Sequence, residues 1–172
     1  MNRQYPIIIL FFILVLSSPL LLQAQKCNYE KNEIDALTEL VVKRTTPQML
    51  LRINGQPLYV KAQCIGTNKY LKILFLKYNG FSFKEDREVG LVLSNNEEVV
   101  LYPRLSSVDS TATDLQNDET SLIIYKLSDP QYQLLTSTTA IEFKYFIASG
   151  FIKEPIKTSR QGKVMEVLKC VE

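Results

Sequence analysis

Apolar and polar residues alternate with a period of two along much of this chain, which points to half-buried β-strands. The clearest run sets Ile141, Phe143, Tyr145 and Ile147 against Glu142, Lys144, Phe146 and Ala148, and predicts a strand with one core face. Shorter β-branched and apolar runs predict strands at Leu40 to Thr45, Met49 to Ile53, Leu58 to Ile65, Val89 to Leu93, Val99 to Tyr102 and Leu122 to Leu127. Asn54-Gly55 tolerates the positive φ of a type I′ turn and predicts a hairpin, and Asn95-Asn96 predicts a second. From Tyr70 to Tyr78 apolar residues fall on both alternating faces, as expected of a central strand covered on two sides, and Phe81 to Phe83 reads as a further extended piece.

Helical signals are fewer. Ser128-Asp129-Pro130 supplies a cap oxygen and a first-turn proline, predicting a short helix over Pro130 to Leu135. Gly150 turns the chain into Phe151 to Ile156. Thr158 or Ser159 can then cap a final helix with an apolar stripe of Val164, Val167, Leu168 and Val171, weakened in its first turn by Gly162. Ser106 to Thr120 is rich in hydroxyl and acidic residues and reads as a long mobile loop. The fold expected is mainly β: an antiparallel sandwich or strongly curved sheet, with a short helix near 130–135 and a C-terminal helix.

The first residues change the picture of the mature chain. Arg3 precedes an unbroken apolar run from Pro6 to Leu16, which Ser17, Ser18 and Pro19 interrupt. This matches a signal peptide and is short for a membrane-crossing helix, although a retained anchor is the alternative. Cleavage after Ala24 leaves residues 25–172 as one β-rich domain, exported to the periplasm or secreted, with no stable membrane insertion afterwards. Cys27 follows Gln25 and Lys26 rather than small apolar residues, so lipid attachment is not expected.

Of the three cysteines, Cys27 and Cys170 lie near the mature termini, which are often close in compact domains. They are the preferred disulfide in an oxidising compartment, with Cys64 left as a buried thiol and Cys27 to Cys64 as the alternative bridge. The formal charge is only +2 and the cations are interspersed with Asp and Glu, which argues against a nucleic-acid face. Lys69, Lys72 and Lys77 read as solvated strand edges.

No histidine is present, which removes Ser-His-Asp and Cys-His catalysis and the commonest metal ligand. No glycine-rich phosphate loop or paired-cysteine zinc knuckle occurs, so no cofactor and no metal is expected. Asp109, Asp114, Asp118 and Glu119 fit no calcium-loop spacing and read as a solvated acidic loop. Glu97 and Glu98, adjacent in an expected strand, would point to opposite faces and read as hairpin surface charges. Tyr59, Tyr70, Tyr78, Phe81, Phe83 and Tyr102 could line a pocket, but ordinary core packing accounts for them.

Cys27-Asn28-Tyr29, Asn32-Glu33-Ile34-Asp35, the Ser128 to Leu135 cap and helix, the Ile141 strand and Lys169-Cys170 together resemble small exported bacterial proteins of uncharacterised function. That resemblance implies a β-rich export module without an enzyme signature. The expected role is a non-catalytic interaction or structural domain of the cell envelope, acting on an envelope or extracellular protein. A small apolar-ligand carrier with a β-lined cavity and an acid-base enzyme using carboxylates are the alternatives.

Overall fold

The computed structural model describes residues 26–76, 88–104, 120–147 and 150–172. The expected leader, Lys77 to Phe83 and the expected loop up to Glu119 lie outside the described residues. Thr120, assigned to that loop by composition, instead opens a strand.

The order of elements is β1 (Tyr29–Ile34), β2 (Val41–Thr45), β3 (Gln48–Ile53), β4 (Gln56–Ile65), β5 (Asn68–Leu76), β6 (Val89–Leu93), β7 (Glu98–Leu101), β8 (Thr120–Leu127), α1 (Asp129–Ser137), β9 (Ala140–Ile147), β10 (Gly150–Pro155) and, after a 3-10 turn at Thr158–Arg160, α2 (Lys163–Lys169). The strands form two antiparallel sheets. The larger has the order β1-β2-β4-β5-β8, with β3 also on β4, and the smaller the order β10-β9-β6-β7. The fold is thus the mainly β, two-sheet arrangement expected, with both helices in place.

Local chemistry accounts for the connections. Asn54 and Gly55 take φ of +49° and +82°, and their turn sends β3 into β4. Asn96, at φ +66°, closes the β6–β7 hairpin, and the Asn95 side-chain oxygen accepts from the Glu97 amide. Glu97 therefore lies in the turn rather than in the strand. Glu98, in β7, reaches over β6 to Lys144 of β9 at 3.2 Å, and it crosses at Gly90, where an added Cβ would sit 2.5 Å from the Glu98 carboxylate. A side chain at that position would have to push the ion pair aside.

Both β2 and β3 pair with the same edge of β4, so they act as one strand interrupted at Thr46-Pro47. Thr45 repairs the interruption. Its buried hydroxyl accepts from the Ala62 amide at 2.9 Å, where the ladder would otherwise lose a bond.

One core lies between the sheets and under the helices. Leu58, Val60, Ala62 and Cys64 of β4, Leu71, Ile73 and Phe75 of β5, and Ile123, Tyr125 and Leu127 of β8 face Val89, Leu91, Leu93, Phe143 and Tyr145 of the smaller sheet. Full burial of each large apolar side chain contributes roughly 1.5–3 kcal/mol. The expected stripe of α2 is buried here as well, with Val164, Val167, Leu168 and Val171 all in the core. Its expected start is corrected: Thr158 and Ser159 belong to the separate 3-10 turn, and Gly162 precedes α2 without a side-chain cap. Ser128 caps α1 as expected, in a reciprocal capping box with Gln131.

Candidate functional site

The described surface presents its large apolar side chains mainly at one place. The β1–β2 hairpin exposes Ile34 (67%), Leu37 (95%), Leu40 (43%) and Val41 (42%) within eight consecutive residues. The backbone beneath them is closely tied. Asp35 N–H donates to the Leu40 carbonyl at 2.9 Å, and Glu39 N–H donates back to the Asp35 carbonyl at 2.8 Å. One carboxylate oxygen of Asp35 accepts from Leu37 N–H at 3.1 Å and from the amide and hydroxyl of Thr38, both at 2.9 Å. These bonds hold the Asp35 carboxyl below its ordinary pKa of 3.8, with the Thr38 amide the first cause. The tip is therefore a preformed turn with Leu37 held outward. Large exposed apolar clusters of this kind mark contact surfaces in soluble domains.

A second unusual surface is the outer face of the larger sheet. Lys61, Gln63 and Lys72 are all less than 7% exposed there, beside buried Tyr70 and Leu74. Lys61 donates to Glu30 of β1 at 2.8 Å, and Arg104 donates to the Tyr70 hydroxyl at 3.3 Å. Lys72 is thus not the solvated edge expected, because β5 runs between β4 and β8 and has no edge to solvate. Lys69 departs from that expectation too. Half-buried, it donates to the Val171 carbonyl at 2.6 Å and lies 5.7 Å from the Tyr132 ring centre.

Cys27 and Cys170 form a disulfide with Cα atoms 5.5 Å apart, and Cys64 is a buried free thiol on the core face of β4. Lys61, the nearest cation in sequence, points to the other face of that strand and pairs with Glu30 there. The end of α2 is clamped around the disulfide. Tyr29 donates to the Cys170 carbonyl at 2.8 Å, Lys43 to Glu172 at 2.7 Å, and Tyr132 to Leu168 at 3.1 Å. These donors meet main-chain oxygens in and just after the last turn of α2, where side chains commonly supplement backbone bonding. Beside the disulfide, a cleft of about 190 Å³ is lined by Lys26, Asn28, Thr46, Gln48, Lys163 and Glu166. Its walls are polar, and Lys163 and Glu166 already pair at 2.7 Å.

The aromatic residues do not gather into one pocket. Tyr59 and Tyr70 share the outer face of the larger sheet, whereas Tyr102 is 69% exposed beyond β7, and Tyr78, Phe81 and Phe83 lie outside the described residues. Asp109, Asp114, Asp118 and Glu119 also lie outside them. Sequence reasoning missed the hairpin tip, although Asp35 followed by Thr38 among apolar residues was a usable turn signal. No protein-family model matches the chain, and no curated protein or solved structure matches it significantly.

Proposed function

We propose that the mature chain is an exported, non-catalytic interaction module that engages an envelope or extracellular protein through the β1–β2 hairpin tip. The observation that carries this reading is Leu37, 95% exposed on a turn that its neighbour Asp35 holds closed. A preformed apolar tip needs little ordering on binding, which favours a specific contact. The Cys27–Cys170 disulfide is compatible with an oxidising location, and it anchors the N-terminal segment that leads into β1. The cleft beside it has polar walls, which suit a small apolar ligand poorly.

A photo-crosslinking residue placed at Leu37 in the native host tests the proposal, with Lys153 on β10 as the control position. A discrete adduct from position 37, absent from position 153 and lost on Ile34→Ser, is the expected result. Identical adducts from both positions, or none from position 37, would overturn it.

A further inference from the structure

We infer that β1 is a self-complementary edge, and that two copies of the chain join their larger sheets through antiparallel β1–β1 pairing centred on Asn32. Among the described residues β1 pairs only with β2 and forms one edge of the larger sheet. The bond from Asp35 N–H to Leu40 fixes the phase of that ladder. In an antiparallel pair, alternate residues direct both backbone groups to the same neighbour. Asp35, Glu33 and Lys31 therefore bond towards β2, while Asn32 and Ile34 direct N–H and C=O outward.

A second β1 must match outward-bonding residues with outward-bonding residues. Of the two-fold registers near the middle of the strand, those centred on Asn32 and on residue 33 do so, whereas centring on residue 31 would set Asn32 against Glu30, inside the irregularity of the β1–β2 ladder. Centring on residue 31 sets Lys31 against Lys31 of the other copy, and centring on residue 33 sets Glu33 against Glu33. Centring on Asn32 sets Lys31 against Glu33 twice, and like charges directly opposite are unfavourable where unlike ones are favourable. The two side chains already share one face at 2.9 Å, with side-chain exposures of 35% and 58%, so the joined edges form a ring of four alternating charges. Charged edge strands usually discourage pairing. Here the alternation of sign makes the same charges favour one antiparallel register. The irregularity between Tyr29 and Lys31 ends the pairing region, and the two-fold contact uses both edges, giving a closed dimer rather than a fibre. The dimer carries its two hairpin tips at opposite ends of the joined strands, and its formation does not depend on what those tips contact.

Sedimentation equilibrium of the oxidised mature protein at low and high salt tests the inference. A concentration-dependent dimer, weakened by salt, is expected. Lys31→Glu and Glu33→Lys are each expected to weaken it about tenfold or more, and the double reversal to restore it to within about threefold of wild type. Leu37→Asp should leave it unchanged, which separates this result from the fate of the tip proposal. A monomer at all concentrations up to about 1 mM, single reversals without effect, or a double reversal as weak as the single ones would each overturn the inference. Circular dichroism of every variant shows that the fold is retained.

Discussion

Asp35 illustrates how a single side chain can fix an exposed surface. Its depressed pKa means that the stabilisation of the turn is present above the unfolded value of 3.8 and is lost as pH falls through the lower folded value. Acidification below about pH 4 is therefore expected to raise amide exchange at Leu37 and Thr38, after correction for intrinsic rates, while β5 amides remain protected. Asp35→Ala should loosen the same amides at neutral pH, and Asp35→Asn, which keeps an acceptor oxygen, should do so less. Unchanged exchange in Asp35→Ala would show that the carboxylate does not hold the turn. Tyr145 behaves oppositely: burial, reinforced by Glu154, pushes its phenol up to about 12. An unfolded tyrosine ionises near pH 10, so this contribution is complete below about pH 10 and lost as pH rises through the folded value. Urea midpoints at pH 9 and pH 11 should fall less steeply in Tyr145→Phe than in wild type.

Among the elements, β1 and β4 are joined by Glu30 and Lys61, and the Lys61 side chain is only 3% exposed. Removing Glu30 leaves the buried Lys61 charge without compensation. Glu30→Gln is expected to cost about 2 kcal/mol in urea unfolding, and Lys61→Met much less, since it removes the buried charge itself. Equal losses would contradict this. The strands and hairpins that sequence disclosed are those whose signals are local: Asn54-Gly55 for one turn, Asn95-Asn96 for another, and the Ser128 cap for α1. The role of β1 was not legible, because Tyr29–Ile34 is mostly polar and exposed, as an edge strand permits. Its tip was hidden for another reason. Ile34, Leu37, Leu40 and Val41 have helix-like spacing, and Asp35 accepts from amides two and three residues on, as a helix cap would. Lys72 was misread because strand order decides whether a lysine meets solvent, and strand order is not written in any local window.

For the molecule as a whole, the Cys27–Cys170 bridge closes a separation of 143 residues and ties the segment before β1 to α2. The terminal location of these two cysteines made the pairing readable in advance, and the free, buried state of Cys64 follows the same assignment. The chain-entropy account gives such a bridge about 5 kcal/mol, acting mainly on the unfolded chain. Cys27→Ser/Cys170→Ser is thus expected to retain the native near-ultraviolet spectrum, since core contacts and the clamps from Tyr29, Lys43 and Tyr132 remain, while its urea midpoint falls sharply. Export and oxidation together are what the proposed role requires, and non-reducing peptide mapping with intact mass, on protein recovered from the native host, tests both at once. The expected result is a chain beginning at Gln25, one disulfide peptide joining Cys27 to Cys170, and one thiol alkylated only after denaturation. A chain retaining its first residues, three alkylatable thiols, or a disulfide peptide containing Cys64 would contradict the account.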